Sequence, residues 1–351
     1  MKMQKKVFWS LVCMSIVLSS CNTKKTYQQE TLIGWNDFKT LELKGKILEF
    51  DEPIMKPFQI MVWDTLLVTI DQGTGNHCHL FNLKTHKKIG ERIATGQGPD
   101  EMLVPYFINS CDSVRLYDMM KSEIGIYGIK EFIADTKPVA SRKYKLGEAN
   151  FFSQLAMLND KLIGVSYRPD YPCYIFDRKG KKQSNGFGAY PDGPIKYTDL
   201  EIVDAYRAIL ATNGKDRVAV CHSFTDLIDL FDGEGNLLKR LYGPEHFYTR
   251  FIEFKDGDRI GSNADPKYYR DAFYSPVSVG KDFFVLFNGK FVNKPQYNIL
   301  ATDLLVFSWN GMPKIHYKLD HGVSCIAVDA KAHKIYGISD SPEYHIVEFS
   351  F

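Results

Sequence analysis

The 351-residue sequence predicts an all-β protein, a six-bladed β-propeller of four-stranded antiparallel blades. Three observations support this prediction. A two-strand unit recurs six times, hairpin-like segments follow most copies, and an unpaired strand precedes the first copy. Repeats of this length are typical of propellers, in which each blade buries its apolar faces against its neighbours.

Each copy of the repeat is a turn residue, an apolar strand, a polar loop and a second strand ending in an aromatic residue. The copies occupy residues 64–81, 112–127, 160–176, 216–231, 282–307 and 333–349, so they start 48, 48, 56, 66 and 51 residues apart. Their last aromatic residues are predicted to be packing positions: Phe81, Phe176, Phe231, Phe307 and Phe349. A pair of β-sandwiches is the alternative, but sandwiches lack a regular register of this kind.

The two ends of the chain fit the same plan. Downstream hairpins at 82–93, 177–187, 232–242 and 308–319 supply further strands, but the last copy stops at its third strand. The segment "KTLELKGKILEF", residues 39–50, is predicted to complete the sixth blade, closing the ring and hiding its sheet edges. Only residues 199–210 have a plausible helical period.

The segment "TGQGPDE", residues 95–101, lies between the last strand of one predicted blade and the first strand of the next. A phosphate-binding loop is one alternative, but it needs a Lys-Ser/Thr pair leading into a helix, and neither follows here. Glycine accepts positive φ, and proline suits the end of a hydrogen-bonded ladder. We therefore predict a turn between blades.

The first twenty residues are typical of a secretory signal. Three lysines precede an apolar run of twelve residues, Val7 to Leu18, which is too short to cross a bilayer. The run ends in Leu18-Ser19-Ser20-Cys21, which resembles the lipobox of bacterial lipoproteins, where Cys21 would receive diacylglycerol. A chance cysteine near an ordinary cleavage site is the alternative. The predicted divisions are a signal peptide (1–20), a lipidated cysteine and flexible tether (21–35) and one propeller domain (36–351).

Asn22 after the cysteine resembles lipoproteins of the Gram-negative outer membrane. Lys24 and Lys25, with no acidic cluster, favour the periplasmic leaflet, and surface exposure is the alternative. Removing the three signal lysines changes the formal charge from +2 to −1. No strong field then attracts nucleic acid, so we expect no nucleic-acid partner and contact with the membrane only through the lipid.

Five further cysteines are scattered without a C-x-x-C motif: Cys78, Cys111, Cys173, Cys221 and Cys325. This odd number indicates neither a disulfide framework nor a structural zinc site. We expect most of them to be buried as small apolar side chains.

The lipobox, the six repeats and the run Gly96-Gln97-Gly98-Pro99-Asp100-Glu101 before a proline-led strand resemble the TolB-like six-bladed β-propeller lipoproteins, a group of secreted Gram-negative proteins. The motif is specific only in the first two blades. The resemblance implies a propeller, an extracytoplasmic location and a binding or scaffolding role. It supplies no catalytic residues.

Propellers commonly bind ligands on the face that carries the loops between the second and third strands of each blade. Six residues at the starts of these loops are predicted to ring the channel mouth: Asp71, Asp118, Tyr167, Arg168, His222 and Asn288. The alternative for each is a solvated turn residue.

Two other clusters contain residue types that occur in binding sites. His77 and His79 share one face of a strand, with Cys78 on the other, which gives two ligands where a metal site wants three or four. Residues 265–274, with Tyr268, Tyr269 and Arg270, can stack on a sugar or bind a peptide, or can be an inter-blade loop. We predict no catalytic residues, no metal ligands and no cofactor.

The leading hypothesis is a non-enzymatic, membrane-anchored propeller that binds an envelope protein, peptide or glycan at its channel mouth. The alternative is a lactonase-like or phosphoesterase-like hydrolase with a divalent ion such as Ca²⁺ in the channel. It needs three or four converging ligands, for which Asp71, Asp118 and Asn288 are the candidates. A structural spacer within a larger complex is a third hypothesis.

Overall fold

The computed structural model describes residues 30–73, 75–108, 113–146, 152–177, 179–183, 186–292 and 300–351. They form a six-bladed β-propeller that is 5% helical, which confirms the predicted fold class. No helix in these ranges is long and apolar enough to cross a membrane. The predicted signal peptide and Cys21 lie outside the described residues.

Each blade starts with an inner strand beside the central channel and adds strands outward. The N-terminal segment contains β1 (Thr31–Leu32), a 3₁₀ turn (Trp35–Asp37), β2 (Lys39–Leu43) and β3 (Gly45–Leu48). Blade 1 contains β4 (Pro57–Trp63), β5 (Leu66–Asp71), β6 (Asn76–Asn82) and β7 (Lys87–Ala94). Blade 2 contains β8 (Pro105–Phe107), β9 (Val114–Asp118), β10 (Glu123–Tyr127), helix α1 (Ile129–Ala134) and β11 (Arg142–Lys145). Blade 3 contains β12 (Phe152–Leu158), β13 (Lys161–Ser166) and β14 (Cys173–Asp177).

The second half of the ring begins after helix α2 (Asp199–Ala205). Blade 4 contains β15 (Ala208–Thr212), β16 (Arg217–His222), β17 (Leu227–Asp232) and β18 (Leu237–Tyr242). A separate hairpin follows, β19 (Phe251–Asp256) and β20 (Arg259–Ala264). Blade 5 contains β21 (Phe273–Val279), β22 (Asp282–Phe287), β23 (Ala301–Ser308) and β24 (Pro313–Val323). Blade 6 contains β25 (Cys325–Asp329), β26 (Lys334–Ser339) and β27 (His345–Ser350).

The N-terminal segment closes the ring. β3 pairs antiparallel with β27 and completes blade 6, as predicted. β1 and β2 add parallel outer strands to blades 4 and 5. The last part of the predicted 21–35 tether, from Thr31 on, therefore packs on the ring, and Ile33 is buried.

The blade cores use the residues that the repeat indicates. The five predicted packing aromatics are at most 1% exposed: Phe81, Phe176, Phe231, Phe307 and Phe349. Three of the described cysteines are free and fully buried, as expected: Cys78, Cys173 and Cys221.

Blade 3 departs from the prediction of four strands. In the described part of its predicted fourth strand, residues 177–187, Lys182 and Phe187 form isolated bridges. The segment has one apolar residue in the sequence, and Gly180 and Gly186 are at positive φ, 76° and 108°, which does not suit a regular strand. Among the described residues this blade has three strands.

The predicted helix at 199–210 is correct only in its first half. α2 begins after Thr198, whose hydroxyl accepts a hydrogen bond from the Glu201 backbone N–H. It ends at Ala205, and Ala208 already begins the inner strand of blade 4. The prediction also missed α1, a six-residue helix inside blade 2.

Candidate functional site

The central channel widens into a chamber on the face that carries the loops between blades. Residues at or beside the starts of the inner strands line this upper chamber, which has a volume of about 380 Å³. All six blades contribute: Phe58, Tyr106, Gln154, Arg207, Tyr274 and Ser324 come from blades 1 to 6 in order. The volume is within the usual range of small-molecule pockets, about 300–1,000 Å³.

Aromatic rings form much of the wall of the upper chamber. The Phe58 and Tyr106 rings meet edge to face, with centroids 5.5 Å apart. Burial and the neighbouring Tyr167 hydroxyl raise the pKa of Tyr106. The Tyr106 hydroxyl therefore stays protonated and can donate a hydrogen bond.

Arg207 is the one charged residue that lines this chamber among the described residues. Its guanidinium lies 5.8 Å from the centroid of the Tyr167 ring and 5.6 Å from that of Phe224. Its Nη2 donates to Asp204 at 2.6 Å, and the side chain remains 43% exposed. The arginine is thus oriented by its surroundings and still accessible.

Helix α2 determines where Arg207 lies. The helix ends two residues before the arginine, and Asp204 in its last turn accepts both from Arg207 and from the Ser262 hydroxyl of β20. The separate hairpin therefore braces the helix. A tyrosine-rich cluster that includes Tyr206 and Phe251 fixes both on blade 4.

A buried carboxylate lies behind the chamber wall. Asp271 is fully buried, and among the described residues neither of its oxygens has a hydrogen-bond partner. Burial raises its pKa to about 6, although the nearby hydroxyls of Tyr274 and Tyr269 counter part of this effect. Tyr274 lines the chamber, so ionisation of Asp271 places a negative charge close to the chamber wall.

Asp71 and Asp118, both predicted mouth residues, are buried rather than solvated. Asp71 accepts hydrogen bonds from the Lys56 backbone N–H at 2.9 Å and from the Thr69 hydroxyl at 2.6 Å. Asp118 accepts from the backbone N–H of Leu103 at 2.7 Å. Each carboxylate ties the end of its second strand to the segment that enters its own blade.

His222 and Asn288 are also buried at the corresponding positions. His222 Nδ1 is 3.1 Å from the Tyr206 carbonyl oxygen, and its Nε2 is 3.6 Å from Asp229. The backbone N–H of Asn288 donates to Ala272 at 3.0 Å.

The two blade 3 candidates are exposed. Tyr167 joins Arg207 at the rim. The backbone of Arg168 accepts a hydrogen bond from the Tyr190 hydroxyl. Of the six predicted residues, the structure brings Tyr167 into contact with the chamber residues described above, and a ligand role for the six stays a prediction.

The Gly-rich segment at 95–101 turns between blades 1 and 2, as predicted. Lys121 donates to the carbonyl oxygens of Gly98 and Glu101 at 3.0 and 2.6 Å. Glu101 Oε2 accepts from the Gly98 backbone N–H at 2.8 Å. The Glu101 and Lys121 side chains therefore bind the backbone of the loop.

The histidine pair and the tyrosine–arginine cluster at residues 265–274 both make contacts with other residues of the protein. His77 Nε2 lies 3.0 Å from the Met102 carbonyl oxygen, and His79 lies 3.5 Å from Glu91. Arg270 lies over the Phe247 ring, and Tyr268 packs against Arg250, 5.0 Å away, outside the chamber lining. In the described ranges no group of three or more His, Cys, Asp or Glu residues has the arrangement of a metal site.

The lower half of the channel is a second chamber of about 680 Å³. Its lining includes Trp63, Arg115 and Lys215 near the far ends of the inner strands. Trp63 is the one aromatic residue among the described residues of its lining, whereas the upper chamber is lined by Phe58, Tyr106, Phe107, Phe224 and Tyr274.

The sequence analysis missed Phe58, Tyr106 and Arg207. A signal for the first two exists in the repeat: Phe58, Tyr106 and Gln154 each lie six residues before the turn aspartate of their copy. The same spacing does not find Arg207, which lies nine residues before Asp216, the turn aspartate of its copy.

Comparisons with known proteins agree with this architecture. A family model described as TolB-like 6-blade propeller-like matches residues 37–331. A putative exported protein from Bacteroides fragilis is 13% identical, with a TM-score of 0.52 over 91% of this chain and 99% of that one. A member of the DUF4221 family from Bacteroides vulgatus is 9% identical, with a TM-score of 0.54 over 89% and 96%. Raptor from Chaetomium thermophilum is 10% identical, with a TM-score of 0.51 over 88% of this chain and 29% of that one.

At these identities the solved structures show a shared fold alone. No curated protein matches the sequence significantly. The family match covers most of the chain, and the six repeats and the closed ring agree with it. The chain belongs to the TolB-like family of six-bladed β-propellers.

Proposed function

We propose that this protein is a membrane-anchored binding module of the bacterial cell envelope, and that its upper chamber binds an envelope protein segment, a peptide or a glycan. One observation carries the proposal: an exposed arginine, Arg207, is positioned among aromatic rings in a chamber to which all six blades contribute. A concave site with a few oriented polar groups is the usual form of a binding pocket.

The contrast with the rest of the ring supports this proposal. The carboxylates of the predicted mouth residues Asp71 and Asp118 accept backbone N–H groups in the protein interior, whereas the Arg207 side chain donates to Asp204 through Nη2 and is still 43% exposed. Aromatic side chains supply large contact areas at low entropic cost. Tyr106 and Tyr167 are therefore the proposed stacking surfaces, and Arg207 is the proposed specificity residue.

The proposed anchor is diacylglycerol on Cys21, in the outer membrane and on its periplasmic leaflet. The lipobox at residues 18–21 and the absence of acidic residues just after Cys21 support it. Metabolic labelling with radioactive palmitate tests it directly: the wild type should incorporate label, and Cys21→Ser should not. Label retained by Cys21→Ser would contradict the proposed attachment site.

A binding array of envelope glycans and peptides tests the chamber. Any ligand of the wild type should be lost or weakened in Arg207→Ala. The matched control is Arg250→Ala, because Arg250 is also exposed and stacked on a tyrosine but does not line the chamber. Ligands that respond equally to both substitutions would argue against this site.

The hydrolase alternative gains no supporting observation from the described residues. Its candidate ligands Asp71 and Asp118 accept hydrogen bonds from backbone and hydroxyl donors, and no carboxylate is among the described residues that line the upper chamber. We therefore propose binding rather than hydrolysis.

A further inference from the structure

We propose that the ligand of the upper chamber is an oligosaccharide that carries a carboxylate, with the acid bound at Arg207 and an adjoining sugar ring stacked on Tyr167 or Tyr106. This inference rests on the proposed function and specifies its ligand. It is carried by the composition and geometry of the chamber wall.

The neutral part of the wall fits a hydroxyl-rich ligand with flat apolar faces. Amide and hydroxyl side chains alternate with rings around the chamber: Gln59, Gln154, Ser223, Ser275 and Ser324 lie beside Phe58, Tyr106, Phe224 and Tyr274. Sugar rings present hydroxyl groups at their edges and C–H groups on their faces. Gln59 and Gln154 accept backbone N–H groups through Oε1, so their amide N–H groups are the ones that can donate to sugar hydroxyls, while the sugar rings stack on the aromatic side chains.

The donors of Arg207 fit a single carboxylate. Asp204 binds Nη2 at 2.6 Å and offsets the charge of the guanidinium, so recognition would depend on the directed N–H groups rather than on a net positive charge. The remaining N–H groups suit a planar carboxylate, because a guanidinium presents paired donors. A phosphate with two charges would meet a poorer balance here, since no lysine or second arginine is among the described residues that line the chamber.

The rings that hold Arg207 also make the recognition rigid. The guanidinium contacts both Tyr167 and Phe224, and Phe224 packs in turn against Tyr269 with ring centroids 5.8 Å apart. Asp204 is fixed by the Ser262 hydroxyl at 2.6 Å. The Arg207 side chain therefore loses little conformational entropy when the ligand binds, which favours affinity.

The test uses short uronic-acid oligosaccharides and the same oligosaccharides after reduction of their carboxyl groups, titrated into the full chain by calorimetry. Wild type should bind the acidic form about tenfold or more tightly than the reduced form, as for a lost hydrogen bond to a charged group. Arg207→Ala should bind both forms equally weakly. Tyr167→Ala should weaken both forms while keeping the preference for the acid.

Two matched variants serve as controls. Arg250→Ala and Tyr268→Ala remove a similarly exposed arginine and tyrosine that stack on each other outside the chamber, and both should bind like wild type. Equal binding of acidic and reduced sugars by wild type, or an unchanged preference in Arg207→Ala, would overturn the inference.

An acidic peptide of similar size separates this inference from the proposed function. If the peptide binds through Arg207 and no sugar does, the chamber is a binding site and the inference about oligosaccharides is wrong. If neither sugars nor peptides bind through Arg207, the proposed function fails together with the inference.

Discussion

The side-chain Oε1 of Gln59, in the inner strand of blade 1, accepts a hydrogen bond of 2.8 Å from the backbone N–H of Phe107, in the inner strand of blade 2. Two further junctions repeat this contact: the N–H of Leu210 donates to Gln154 at 2.5 Å, and that of Ile326 donates to the Ser275 hydroxyl at 2.9 Å. Blades 1, 3 and 5 are thus each tied to the blade that follows.

The same three inner strands carry the irregularities of the ring. Their pairing register shifts between Pro57 and Gln59, between Phe152 and Gln154, and between Tyr274 and Val277. The inner strands of blades 2, 4 and 6 pair without a shift. A bulge redirects a side chain, and an inner strand has an unpaired edge whose N–H groups need acceptors. The three inner strands with a register shift are thus the ones that carry these side-chain ties to the next blade.

Gln59→Ala should lower the free energy of unfolding by about 1–3 kcal/mol, because the buried N–H of Phe107 loses its acceptor. Urea denaturation measures the change. The control is Gln183→Ala, an exposed residue whose loss should fall within about 0.5 kcal/mol. Equal effects of the two substitutions would show that the hydrogen bond between Gln59 and Phe107 does not stabilise the fold.

Arg240→Ala should destabilise the protein by about 3–5 kcal/mol, the usual cost of leaving a buried charge without its partner. Arg240 Nε and Nη2 donate to the two oxygens of Asp229 at 2.6 and 2.8 Å, and both residues are buried. Denaturation of the variant measures this.

Arg217→Ala is the control, because the pair of Arg217 with Asp216 is more exposed. Removing it should cost about 1 kcal/mol or less. If Arg240→Ala loses no more stability than Arg217→Ala, the buried pair of Arg240 with Asp229 does not stabilise the protein as predicted.

The free energy of unfolding should fall as the pH rises from about 4 to 8. Burial raises the pKa of Asp271 to about 6 and that of Asp226 to about 7, from 3.8 in a solvated aspartate. Between these values the native state binds protons that the unfolded state has released, so higher pH favours unfolding. The stabilisation is complete below the unfolded value and is lost once both folded groups ionise.

Asp271→Asn should reduce the loss of stability between pH 5 and pH 8 by about 1 kcal/mol, since the amide cannot ionise. Thermal or urea denaturation at the two pH values gives the difference. Asp258→Asn, in the exposed turn of the separate hairpin, is the control. The same fall in wild type and Asp271→Asn would exclude Asp271 as its source.

Chelator and added Ca²⁺ should leave the melting temperature unchanged, because Asp71 and Asp118 bind donors of the protein itself. Calorimetry with and without each additive measures this. A rise in melting temperature with Ca²⁺ is what a native-state ligand produces by mass action. It would contradict this account and support the hydrolase alternative.

The strands of the blades could be predicted from the sequence because the patterns that indicate them are local. A turn residue, an alternating strand and a terminal aromatic such as Phe81 or Phe231 are all readable within one copy of the repeat. The extra hairpin, residues 251–264, carries the same local signals, with Gly257 at φ 59° in its turn. Only the three-dimensional arrangement shows that it is an insertion between blades 4 and 5.

The candidate site was less predictable because it depends on contacts between residues far apart in the sequence. Arg207 and Phe224 belong to blade 4 and Tyr167 to blade 3, so Tyr167 meets them only when these two neighbouring blades pack together. The loop-start residues, such as Asp118, looked accessible because turn aspartates usually are. Burial against the entering segment of the same blade is a tertiary effect that no local pattern reveals.

The most direct measurement is a crystal structure of the protein with a ligand identified on the glycan and peptide array. The account predicts density in the upper chamber, with an acidic group hydrogen-bonded to Arg207 and a ring or flat face against Tyr167 or Tyr106. Density in the lower chamber near Trp63 and Lys215, or on the outer strands with the upper chamber unchanged, would contradict it.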